Sequence, residues 1–437
     1  MAIRASGATI RAALPAPPRR GYFPSIPSHR ILRLNLVRRH PFACLLVALV
    51  LAGAVYPLPP LVDVMTGATP GDAELALPAW YVVVAPFSNT LDALTFLSLE
   101  RARWGLAVWA LALALWGWRR ARVGSLRLRV GRALVGPILI VALAGATLVL
   151  PRPAARLVVA DSSLTVVDYH AHTAASHDGR AGWTSERLAR WHARQGFEAS
   201  YVTDHNVVFD GTSSTATAIV LLPGVEWSVH RQHVLALGSV RPLDRTAFSG
   251  SAERMLGIFH ALDQQGALGI ASIPEYWRNY RDELNAFVAA GVNGFEVVNC
   301  APKAIGFPAP ERRRVLALAA RHDLLVVGGS DNHGWGAATC VWNLAVPGAQ
   351  GVRANRILAR PLALLQGEWL GWTAPVTQPW FLFRGLSWSE RASWLTWLAI
   401  YLLYMAVPRR QGQPAGVGIL ARSIFARRRQ EPPVATT

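Results

Sequence analysis

The chain has 437 residues, of which 52% are apolar, three cysteines and a formal net charge of +18. The length accommodates two or three units, and the apolar share is high for a purely soluble protein. The charge suggests nucleic acid, but residues 151–386 hold 21 Lys+Arg against 19 Asp+Glu, and the flanks hold the remaining 23 and 7, so no basic binding face is spread over the middle and nucleic acid is excluded as a partner.

In chain order, residues 1–40 carry eight arginines and no acid and read as a basic disordered tail. Residues 41–150 form a membrane region with three expected spans at 41–56, 104–118 and 133–150, and a fourth is expected at 392–407 before a basic tail over 408–437. Six arginines between Arg119 and Arg132 and six in the C-terminal tail contrast with the acidic balance of Pro57–Arg103. The positive-inside rule then places both tails in the cytoplasm and the central domain outside, in a multi-pass protein of the inner or plasma membrane whose lipid bilayer is one partner. Trp80–Leu99 is also apolar, but Asn89 and Asp92 in its middle favour an interfacial segment over a span.

The central domain, residues 155–376, alternates strand and helix patterns. Strands are expected at Leu164–Tyr169, Ala199–Thr203, Ala218–Leu222, His233–Leu237, Leu268–Ser272, Phe295–Val298 and Leu324–Val327. Helices are expected at Ser185–Gln195, Ala252–Gln265, Asp282–Ala290 and Pro310–His322. Seven strands alternating with helices suit an α/β fold, a distorted (β/α)7 barrel of TIM type set between the N- and C-terminal membrane helices. Ten of the twelve histidines lie in this domain, and its polar residues cluster directly after strands. Of the cysteines, Cys300 and Cys340 fall here; three scattered cysteines make no disulfide framework, although a bridge between these two stays open.

The chemistry starts at Thr165–Thr173. An apolar β-branched run ends in Asp168–Tyr169–His170–Ala171–His172, and on an extended backbone His170 and His172 share a face. With Asp178 in the following Gly-containing turn, the two imidazoles can converge on a divalent ion.

Five segments in order carry a family resemblance. Residues 165–179 resemble the first motif of the polymerase-and-histidinol-phosphatase (PHP) domain, D-x-H-x-H-T followed by S-x-D-G. Thr203–Asn206 is similar to its T-D-H-N motif, Pro223–Glu226 to P-G-x-E, His233–Gly238 to H-x-L-x-L-G, and Gly329–His333 to the terminal S-D-x-H. The resemblance implies that His170, His172, Asp178, His205, Glu226, His233, Asp331 and His333 are ligands of two or three divalent ions, Zn, Mn or Fe. Glu226 is a carboxylate able to bridge two of them, and Asp168 and Asp204, adjoining ligands, are expected to orient the imidazoles. One position departs from the pattern: Ser272 stands where the family carries a histidine, which favours two ions over three and leaves His177 and His230 as substitutes. Arg180, Arg278 and Arg281 are candidate phosphate contacts, and Glu296 and Asn299 fit a strand-end pattern of the family.

The function this implies is hydrolysis, by metal-activated water, of a phosphate ester: a small phosphorylated molecule, a nucleotide, or a lipid- or polyol-linked phosphate near the membrane surface. Two rivals differ in chemistry: hydrolysis of a C–N or C–O bond, and a degenerate metal- or ligand-binding module that senses or assembles. Ser272 favours the last, and the intact His170–His172, Asp178, Glu226 and Asp331–His333 set opposes it.

Overall fold

The computed structural model describes residues 38–121, 124–213, 217–238, 240–346 and 354–406. The basic tails expected at 1–40 and 408–437 lie almost wholly outside these residues. The chain divides into a unit of residues 1–45, described only for its last residues, which begin the helix Pro41–Val55, and a unit of residues 46–437 that holds everything below.

In chain order the strands are β1 (Val62–Asp63), β2 (Ala73–Ala76), β3 (Arg156–Val159), β4 (Thr165–Ala171), β5 (Ala199–Val202), β6 (Thr212–Ser213) and β7 (Val220–Leu222). They continue with β8 (Gly224–Val229), β9 (Gln232–Leu237), β10 (Leu268–Ser272), β11 (Gly294–Asn299), β12 (Leu325–Gly329), β13 (Val341–Val346) and β14 (Ala354–Ala359). They form a seven-stranded sheet in the order β1-β14-β13-β4-β5-β7-β6, a five-stranded sheet in the order β12-β11-β10-β9-β8, and a separate β2–β3 pair.

All seven expected strands are present, as are the helices Ser185–Gln195, Ala252–Asp263, Leu284–Ala289 and Ala309–Arg321. The expected distorted (β/α)7 barrel is corrected to a mixed α/β arrangement of two sheets that do not close into a barrel. The reason is local. β8 and β9 are joined by His230 and Arg231 alone, both at positive φ (36° and 60°), a two-residue turn that forces an antiparallel hairpin. β13 likewise runs antiparallel to both β4 and β14. Parallel pairing survives at β4–β5–β7 and β10–β11–β12.

The two sheets enclose a shared core of Val167, Tyr169, Ala199, Leu235, Leu237, Ile270, Val327 and Ala345. One seam is pinned by the buried Asn343, which donates to Val167 O (2.9 Å) and Gly328 O (2.7 Å) and accepts from Gly328 N. The other is held by a backbone bridge between His205 and Glu226. The helix Ser185–Gln195 covers the outer face of β4. Thr184 caps its start, and Gly196 ends it in the left-handed region (φ 91°), where a Cβ would stand 2.4 Å from Leu157 O.

The membrane reading is reduced. Among the described residues one helix, Leu126–Val149, is long and apolar enough to cross a bilayer, and almost none of it is buried. Pro41–Val55 has 15 residues, about 22 Å of helix, short of the ~30 Å hydrocarbon core. The helix containing 104–118, Leu99–Arg120, carries Glu100, Arg101, Arg103, Arg119 and Arg120 at its ends. In the last helix, Trp388–Ala406, Glu390 accepts from Asn89 (2.6 Å) and Arg391 donates to Val50 O and Gly53 O, so its first turn is tied to protein groups. The expected four-span, multi-pass topology is thus not carried by the structure, and the side assigned to the domain by counting spans loses that basis. Trp80–Leu99, expected as an interfacial segment rather than a span, is not one helix of spanning length. It forms the helices Ala79–Val83 and Ala85–Thr95, and its Asp92 is buried, accepting from Tyr81 (2.8 Å) and Arg152 (2.8 Å).

Candidate metal centre

β4 delivers the first two histidines through an irregularity. Its pairing with β5 slips by one residue between Asp168 and Ala171. Before the slip Asp168 faces the covering helix and Val167 and Tyr169 face the core; after it, Ala171 packs among Leu188 and Ala189 of that helix, and His170 and His172 both turn inward. The bulge aims two consecutive sets of residues, core and site, to the same side.

The other groups arrive from neighbouring strand ends. Asp204 clamps the loop after β4 by accepting from Thr173 N and Thr173 Oγ1, both at 2.6 Å. His205 follows β5, Glu226 lies in β8 and His233 in β9. Asp331 and His333 follow β12, with Asp331 at φ 49°, a left-handed backbone that Asp tolerates better than most residues.

Glu226 is the centre. Its Oε2 lies 3.0 Å from His205 Nδ1, 3.2 Å from His170 Nε2 and 3.3 Å from His172 Nε2, and its Oε1 lies 2.6 Å from His233 Nδ1. Asp331 Oδ1 stands 3.0 Å from His172 Nε2, 3.4 Å from His333 Nδ1 and 3.5 Å from His170 Nε2. Asp178 closes the outer side, 3.2 Å from His333 Nε2 and 3.6 Å from His205 Nε2. All eight residues expected as ligands are therefore brought together. Several triplets, such as His170–His172–Glu226 and His205–Glu226–His233, place donor atoms within 4.8 Å of one another, compatible with divalent metal binding.

These close approaches lack hydrogen-bond geometry. His170 Nε2, His172 Nε2, both Glu226 oxygens, Asp331 Oδ1 and His333 Nε2 are buried side-chain atoms with no hydrogen-bond partner. An unsatisfied buried polar atom costs about 1–3 kcal/mol, and native interiors hold few of them. Six in one pocket, all nitrogen or carboxylate oxygen, match the donor chemistry of a divalent ion.

The electrostatics show the same crowding. Burial opposes charge at His170, but Asp331, Glu226 and Glu296 outweigh it and hold the imidazole well above the ordinary histidine range. Glu226 is held well below the usual carboxylate range, because His233 and His170 outweigh its burial. Burial and the neighbouring His333 push His172 down to about 4. Against its own burial, His333 is held up to about 9 by Asp178 and Asp331.

The groups that orient the imidazoles are not the expected ones. Glu296 Oε1 takes His170 Nδ1 at 3.0 Å, and Ser176 Oγ takes His172 Nδ1 at 2.9 Å. Asp168 instead bonds His192 Nε2 at 2.8 Å, inside the covering helix, and Asp204 bonds Thr173; neither touches an imidazole of the cluster. Ser272 donates its hydroxyl to Glu296, so it supports His170 from one step further out. His177 is exposed beside Asp178 (3.9 Å), and His230 sits in the β8–β9 turn against Ser249 O. Of the candidate phosphate-binding arginines, Arg281 pairs with Glu311 (2.9 Å), Arg278 lies over Trp277 and Arg180 over Trp335. The cavity above the cluster is lined instead by Arg245 and Lys303, the latter 3.5 Å from Glu275. Sequence reasoning missed Glu275 and Tyr276, which flank His233 at 4.0 and 3.5 Å; their place directly after β10, a strand end, was the available signal.

No family model and no curated protein matches the chain. Among solved structures it is similar to a protein from Bifidobacterium adolescentis described as a metal-dependent phosphoesterase, with 20% identity, a TM-score of 0.30, and coverage of 51% of this chain and 97% of that one. It is also similar to PsfC from Pseudomonas syringae, with 18% identity, a TM-score of 0.35, and coverage of 55% and 99%. Likeness of this degree carries no argument about chemistry, which rests on the site's own geometry.

Proposed function

We propose that this chain is a metal-dependent phosphoesterase, with His170, His172, Asp178, His205, Glu226, His233, Asp331 and His333 holding two divalent ions of the Zn, Mn or Fe kind. The observation that carries the reading is the set of six buried nitrogen and carboxylate atoms that converge without hydrogen bonds. When bound, such ions supply Lewis acidity at phosphorus and lower the pKa of water. In the net reaction water adds to phosphorus, the P–O bond to the alcohol breaks, and the alcohol leaves with a proton.

The protein's own part is positional. Glu226 reaches four imidazoles and is the carboxylate that two ions held by them would share. Glu296 and Ser176 fix the rings of His170 and His172, and Arg245 and Lys303 place positive charge in the cavity, where a phosphate oxygen would enter. Ser272, committed to Glu296, favours two ions over three. Leu126–Val149 serves as a membrane anchor, and the Cys300–Cys340 bridge supports an oxidising, extracytoplasmic setting.

The test is turnover of a phosphomonoester and a phosphodiester panel by the full chain loaded with Mn or Zn, beside His172→Ala. Turnover of one ester class, lost with chelator and in the variant, is expected. Hydrolysis of amides but not of phosphate esters would replace this reading with its C–N rival, and bound metal without any turnover would favour the binding module.

A further inference from the structure

The cavity over the histidine cluster does not end there. It encloses 1610 Å³, above the roughly 300–1,000 Å³ of ordinary small-molecule sites. Its two ends differ in kind. At one end stand Asp178, His205, His233, Asp331 and His333; at the other, a groove lined by Leu106, Ala110, Ile140, Val141 and Ala144, from the helices Leu99–Arg120 and Leu126–Val149. The two helices close on each other farther along, where a Cβ at Gly117 would come 2.2 Å from Arg132 O. The polar end is fixed to the apolar helix by backbone: Gly336 N, three residues after His333, donates to Leu148 O in the last turn of Leu126–Val149 (3.0 Å). That places the cluster at the end of the one helix among the described residues that is long and apolar enough to enter a bilayer, the level at which a phosphate headgroup sits.

We propose that cluster and groove are one binding site for a lipid-like phosphate ester, its phosphate at the histidine cluster and its hydrocarbon chain between the two helices. The proposal rests on the phosphoesterase reading and names its substrate class. A soluble sugar phosphate or nucleotide would leave the apolar half of the cavity unfilled. An alkyl or acyl chain fills it and gains about two- to fourfold in affinity for each CH2 removed from water.

The test uses the full chain in neutral detergent, loaded with Mn, on butyl, octyl and dodecyl phosphate. It is paired with photolabelling by a dodecyl phosphonate bearing a diazirine at the chain end. The blocking variant is Gly145→Trp: Gly145 lines the groove, and a Cβ there would meet no atom within 4 Å, so a side chain can start from this position without a backbone clash; a thermal melt beside the wild type checks that the variant folds. We expect kcat/KM to climb at least tenfold from butyl to dodecyl phosphate, the climb to flatten in Gly145→Trp, and the label to fall on 106–110 and 140–148. Equal turnover of all three chain lengths with label elsewhere would overturn the lipid-like substrate and leave the phosphoesterase standing. Label in the groove with no ester turned over would uphold the groove as a chain-binding site and overturn the phosphoesterase reading on which the substrate rests.

Discussion

Glu226 and the histidines around it concentrate what this chain does, and the residues just behind them decide how well. Glu296 is fully buried, holds His170 through Nδ1, and receives Ser272 and Asn299. Glu296→Gln keeps its shape but weakens its hold on the imidazole, so metal affinity is expected to fall about 10–100-fold with little change in the unfolding midpoint of the metal-free chain; isothermal titration beside a thermal melt checks both. The protonation state gives a second expectation. His333 has its folded pKa raised to about 9, so its contribution to stability in the metal-free chain is present below the ordinary value of about 6.5 and is lost as pH rises through about 9. A bound ion needs that proton gone, so metal affinity is expected to rise with pH up to at least about 9, as titration between pH 6.5 and 9 will show. Legibility at this scale was uneven. Proposed ligands such as His170, His172 and His205 sit in short local patterns that a sequence displays. The Glu296–His170 and Asp168–His192 pairs join residues far apart in the chain, and only the topology reveals them.

At the scale of elements, β4 and its covering helix form the most committed unit. Asp168 and His192 are both buried and bonded to each other, and Asp168 also accepts from Ser330 N at 3.0 Å. Removing the carboxylate in Asp168→Ala leaves a buried imidazole without its partner, and urea unfolding of the metal-free chain is expected to show a loss of about 3 kcal/mol. A loss below about 1 kcal/mol would mean that the pair does not lock the helix to the strand. The strands themselves were readable because their apolar runs are of strand length. Their directions were not, because direction depends on connections: the His230–Arg231 turn is only two residues, and β13 and β14 went unrecognised. The Cys300–Cys340 bridge, left open by the sequence, ties the end of β11, beside Asn299 and the cluster, to the start of β13.

Over the whole molecule, the flanking apolar segments divide into two kinds that hydropathy alone does not separate. Segments around Asn89, Asp92 and Glu390 bury polar groups against protein, whereas Leu126–Val149 presents Ile138 and Leu139 outward, each more than 60% exposed. Four spans were expected from apolar runs and the charges between them, a reading that counts apolar residues and not the partners those residues find. The central domain gathers the eight proposed ligands from the ends of β4, β5, β8, β9 and β12 at a single point, and two ions sharing Glu226 are proposed there. The most direct measurement is the metal content of the purified full chain, by elemental analysis, beside Glu226→Gln. Two ions per chain in the wild type, with both reduced together in the variant, are predicted. A folded wild-type chain that binds none after incubation with Mn, Zn or Fe, or a variant that keeps both, would contradict the account.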